Sequence, residues 1–107
     1  MTTTERTSYA DRVRAGAALL DDVSPGWWRH VDVECLDMDH CVRCVLGQVF
    51  GNYLRGADLL HIDPQEYGFD VDVPYGFNED TDRFYYRLLT RLWTYVIRSR
   101  QAADGEA

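Results

Sequence analysis

Residues 37–56 read DMDHCVRCVLGQVFGNYLRG, and the architecture of the chain turns on whether this stretch holds a metal, runs a redox reaction or builds a helix. The helix reading is the strongest. From Asp39 as N-cap to about Leu60, a rotation of 100° per residue places Val42, Val45, Leu46, Val49, Phe50, Tyr53, Ala57 and Leu60 on one broad face. Gly47 and Gly51 lie beside that face. Each costs roughly 1 kcal/mol in mid-helix relative to Ala, so their presence predicts that another helix or an indole approaches closely.

The metal reading draws on Cys35, His40, Cys41 and Cys44, with His30 just upstream. Structural zinc takes four ligands in two spaced pairs, whereas one C-x-x-C stands here with scattered histidines and no second pair downstream. For redox chemistry, a thiol at a helix start has a lowered pKa, but the thioredoxin-like arrangement needs a strand leading into the motif. Neither set is expected to hold a cofactor. Nucleophile elbows, phosphate loops, H-E-x-x-H and closed calcium loops are absent from the sequence.

Around this centre the periodicities predict a mainly α single domain spanning residues 1–107, with residues 1–4 and 101–107 frayed. A first helix covers about 4–23, where Tyr9, Val13, Ala17 and Leu20 recur at helical spacing before Ser24-Pro25-Gly26 stops it. Trp27-Trp28 follows in a turn expected to dock both indoles on the core. Val31, Val33 and Cys35 alternate with acids, as do Phe69, Val71, Val73 and Tyr75. The two segments offer a small two-stranded ribbon, which Pro74 weakens.

A last helix covers about 79–100, with acids at its start and arginines at its end to complement the helix dipole. Its ten apolar or aromatic residues cover about 220° of the wheel, where a surface helix needs only about 100°. Tyr86, Trp93 and Ile97 line one edge of that arc. Covering the excess predicts a homodimer through this edge; the competing arrangement puts the helix at the centre of the monomer, wrapped by the Trp-Trp turn and the 61–77 connection.

All eleven basic residues are arginine, and Asp outnumbers Glu thirteen to five, as expected for a GC-rich gene. The net charge of −7 disfavours direct nucleic-acid binding. Residues 58–82 carry eight acids and no base, whereas 83–101 carry five arginines and no acid. Arg83, Arg87 and Arg91, four residues apart, form the one row that could track phosphates. The N-terminus lacks the basic and apolar regions of a signal peptide, and no run of about eighteen apolar residues exists, so a cytoplasmic protein without a membrane span is expected.

The segments GWWRHVDVECLDM, CVLGQVFGNYLRG and YGFD together resemble a group of small proteins of actinobacteria and their bacteriophages, over roughly residues 10–75. The resemblance implies lineage and context, and carries no catalytic residue over. The expected function is a non-enzymatic, acidic protein-interaction module that binds a bacterial host protein or a second copy of itself. Tyr86, Trp93, Ile97, Arg87 and Arg91 are the expected binding residues. The alternative is a small regulator, stabilised by zinc through Cys41 and Cys44 or bound to DNA by the arginine face.

Overall fold

The computed structural model describes residues 8–71 and 79–106, and over these the chain is mainly helical. Four α-helices are present among the described residues: α1 (Tyr9–Val23), α2 (Val45–Phe50), α3 (Tyr53–Leu60) and α4 (Glu79–Glu106). Single 3-10 turns occupy Trp27–His30 and Pro64–Tyr67. The four N-terminal residues expected to fray lie outside the described residues.

Helix α1 starts where Ser8 Oγ accepts the Asp11 N–H at 3.1 Å. Its buried stripe includes Val13, Gly16, Ala17 and Leu20, small enough in the middle to bring the helix close to the Pro64–Tyr67 turn and to α4. A Cβ on Gly16 would overlap the Tyr67 carbonyl oxygen and meet the Trp93 ring at 3.1 Å. Gly68, which closes that turn with a φ of 76°, sits directly on the Val13 backbone.

At the centre is Trp93, fully buried, with its ring stacked on Phe69 at 5.1 Å and met edge-on by Trp27 at 5.8 Å. Its indole N–H donates to the Gly68 carbonyl at 2.6 Å. The Trp-Trp turn thus docks as expected for Trp27, whose own N–H donates to Asp21 at 2.9 Å. Trp28 remains half-buried, with the Arg29 guanidinium over its ring at 4.7 Å. Leu89 and Ile97 complete the inner side of α4.

Three expectations for residues 39–60 are corrected. The single helix over 39–60 is two helices, because Gly51 at φ 110° ends α2 and the Asn52 side chain caps α3 by accepting the Arg55 N–H at 2.8 Å. The two fold back together where Gly56 lets Leu46 and Phe50 approach its Cα. The N-cap is Cys44 rather than Asp39: residues 37–43 form a turn in which His40 Nδ1 accepts the N–H groups of Val42 and Arg43. Gly47 does meet a close neighbour, but the neighbour is the carbonyl oxygens of Cys41 and Val42 rather than a helix or an indole.

The ribbon is absent from the described residues, and the part of it at 72–75 lies outside them. Residues 31–36 turn instead, with Cys35 N–H bonded to Asp32 O and Leu36 N–H to Val33 O. What would have been strand pairing is supplied by one side chain: Gln48 Oε1 accepts the Asp32 N–H at 2.7 Å, and Gln48 Nε2 donates to Asp32 O and Arg43 O. The last helix also runs past its expected end at about residue 100. Helix α4 continues to Glu106, held by Gln101 donating to Trp28 O and Val31 O and by an Arg29–Asp104 ion pair.

Candidate interaction groove

With Leu89, Trp93 and Ile97 committed to the core, α4 presents a second stripe outward. Phe84, Leu88, Arg91 and Tyr95 follow one another at spacings of four, three and four residues, the spacing that keeps side chains on one helix face. Phe84 is 61% exposed and Tyr95 74%, while Leu88 is half-buried.

Alongside the N-terminal half of this stripe runs an open groove of about 850 Å³ between α4 and the 34–43 loop. Arg83, Arg87 and Arg91 line the helix wall, and Glu34, Asp37, Asp39 and Arg43 the loop wall. Leu36, Phe84, Tyr86 and Leu88 supply apolar surface between them. The loop is positioned by Thr90, whose hydroxyl accepts the Met38 N–H at 3.0 Å and donates to Tyr86 O, and by the Gln48 strap behind it.

The charges in the groove are unevenly matched. Arg83 pairs with Asp80 and Glu34 with Arg98, both on the surface, where such pairs contribute only about 0–1 kcal/mol. Arg43, Arg87 and Arg91 make no ion pair among the described residues. Opposite them, burial and then the adjacent Asp37 carboxylate raise the pKa of Asp39.

Behind the groove, Asp70 clasps α3 to α4. It accepts the Tyr53 and Tyr86 hydroxyls, each at 2.7 Å, and the Val71 N–H at 2.8 Å. Burial first, and then the bond to Asp70, pushes both phenols well above their ordinary pKa. They act as fixed donors, and a carboxylate with both oxygens occupied is a structural joint.

The thiols do not converge. Cys44 is buried, and its sulfur accepts the Gly47 N–H at 3.3 Å as the α2 cap; burial raises its pKa. Cys35 is exposed, and the hydrogen bond to Asp32 raises its pKa in turn. Cys41 is exposed, and the His40 ring is engaged with its own turn. No group of three His, Cys, Asp or Glu side chains among the described residues is arranged to hold a metal ion. The alternative readings, a low-pKa thiol at a helix start and a Cys35, His40, Cys41, Cys44 ligand set, gain nothing from this arrangement: Cys41 lies before the helix, and Cys44 is engaged in capping it.

Of the expected binding residues, Arg87 and Arg91 stand together in the groove wall, and Tyr86 shows one edge there. Trp93 and Ile97 are corrected: both are fully buried in the monomer and present no surface. Sequence periodicity does not reveal Arg43, Asp37 and Asp39 as groove residues, because it starts a helix at Asp39 where the chain turns against α4. It did place Phe84, Leu88 and Tyr95 on the apolar arc but not on its outward side.

No protein-family profile, curated protein or solved structure matches this chain. Among the described residues, no helix is long and apolar enough to cross a membrane.

Proposed function

We propose that the chain is a non-enzymatic, cytoplasmic protein-interaction module that docks a partner on the outer face of α4 and the adjoining groove. The observation that carries this reading is the Phe84–Leu88–Tyr95 stripe, whose two aromatic residues remain exposed on a helix whose opposite side already fills the core. Aromatic and arginine side chains are enriched at the centres of protein interfaces, and both types converge on this face. The resemblance to actinobacterial and phage proteins makes a bacterial protein the proposed partner, with a second copy of this chain as the other candidate.

The test is affinity capture with the parent chain and with a Phe84→Asp/Tyr95→Asp variant, from a lysate of the organism that supplies the gene. Both positions are exposed, so the variant should retain the parent's far-UV circular dichroism. A protein retained by the parent and lost by the variant supports the reading. Identical retention by both overturns it. Sedimentation equilibrium of the parent alone separates self-association from binding a different protein.

A further inference from the structure

We infer that the groove between α4 and the 34–43 loop takes an extended peptide segment of a partner protein, with acidic side chains at alternate positions. The inference rests on the proposed use of this face for docking and names what enters it.

Spacing supplies the first part of the argument. Arg83, Arg87 and Arg91 project from successive turns of α4, and four residues of helix rise about 6 Å. Alternate side chains of an extended chain recur every 6.6 Å or so, so a carboxylate at every second position meets one guanidinium after another. Arginine suits this role because its planar fork donates two parallel hydrogen bonds to one carboxylate.

The opposite wall decides between a peptide and a nucleic acid. A phosphate backbone has the same negative sign as Glu34, Asp37 and Asp39, and it carries no positive or donor side chain to meet them. An extended peptide can meet them: its side chains alternate between two faces, so the positions between the acids turn toward the loop wall and can be polar or basic. Arg43 on the loop wall and Arg87 and Arg91 on the helix have no ion pair among the described residues. In a chain of net charge −7, these three arginines along one groove, engaged in no ion pair among the described residues, are the groups left to pair with a partner's carboxylates. Phe84 and Leu88 at the helix side provide the apolar surface on which the methylenes of such a segment can rest.

The probe is a fluorescein-labelled peptide of alternating Glu and Thr, titrated with the full chain at low ionic strength and followed by anisotropy. An isomer of the same composition with its Glu residues in one block carries the same charge at the wrong spacing, and labelled oligothymidylate serves as the nucleic-acid arm. The alternating peptide should bind about tenfold more tightly than the block isomer, a difference of about 1.4 kcal/mol. Arg87→Glu/Arg91→Glu should abolish its binding, while Arg55→Glu on α3, away from the groove, should leave it unchanged. If charge reversal disturbs the fold by circular dichroism, Arg87→Gln/Arg91→Gln replaces it, with a loss of about tenfold or more expected. Equal affinity for the two isomers, tighter binding of oligothymidylate, or indifference to the arginine substitutions overturns the inference. Capture that depends on Phe84 and Tyr95 would stand through any of these failures, so the two readings fail separately.

Discussion

Gly16→Ala sets helix propensity against tertiary packing within one methyl group. In the middle of α1, alanine should stabilise the helix by about 1 kcal/mol relative to glycine. The added Cβ, however, falls on the Tyr67 carbonyl oxygen and within 3.1 Å of the Trp93 ring. Neither neighbour can retreat easily. Tyr67 belongs to a turn closed by Gly68 N–H to Gln65 O and Phe69 N–H to Pro64 O, and Trp93 is held between Phe69 and Trp27. Overpacking a tight site costs about 1–3 kcal/mol, and a clash with main chain belongs at the upper end. Subtracting the propensity gain leaves a net loss of about 2 kcal/mol. With a urea dependence of about 1.5 kcal/mol per molar, the unfolding midpoint should fall by roughly 1.3 M, monitored by fluorescence of the buried tryptophans. Gly105→Ala, where no atom lies within 4 Å of the new methyl, should leave the midpoint unchanged or slightly higher. A Gly16→Ala midpoint equal to or above the parent's would refute the close packing of α1 on the Tyr67 turn.

Two further outcomes are expected. Asp70→Ala leaves the Tyr53 and Tyr86 hydroxyls without their acceptor and should lower stability by about 2–4 kcal/mol in urea unfolding, whereas Tyr53→Phe removes one bond and should cost about 1 kcal/mol. Asp21 is held below the ordinary carboxylate range, first by the Arg100 hydrogen bond and then by the Trp27 N–H. Its folded pKa lies below its unfolded one, so its contribution is complete above about pH 5 and is lost progressively as the pH falls through and below about 3.9. The Asp21 side chain is 41% exposed, which limits the effect to under about 1 kcal/mol. Thermal unfolding of Arg100→Gln should show a correspondingly shallower loss over that acid range.

Much of the helical framework is legible in the sequence because it depends on neighbours along the chain. Local rules place the end of α1 at Ser24-Pro25-Gly26, the start of α4 at Glu79 and the docking of Trp27. The division of α2 from α3 was also written locally, since Gly51-Asn52 pairs a residue free to adopt positive φ with a good N-cap; the continuous apolar face concealed it. The alternation in 31–35 predicts a strand, but a two-residue period cannot show that Gln48, more than a dozen residues away, will satisfy the backbone instead.

The inner side of α4 is the decision that belongs to tertiary structure. Both Tyr86–Leu89–Trp93–Ile97 and Phe84–Leu88–Tyr95 are apolar stripes at helical spacing, and the wheel ranks neither. A hint lies in the second stripe, which Arg91 and Arg98 interrupt while no charge breaks the first. What settles it is that Trp27 from one segment, and Phe69 and the Gly68 carbonyl from another, converge on one indole, enclosing its ring and accepting its only N–H. Propensity and periodicity fix how a segment folds along itself; which face it buries depends on partners that meet it only after the chain has closed.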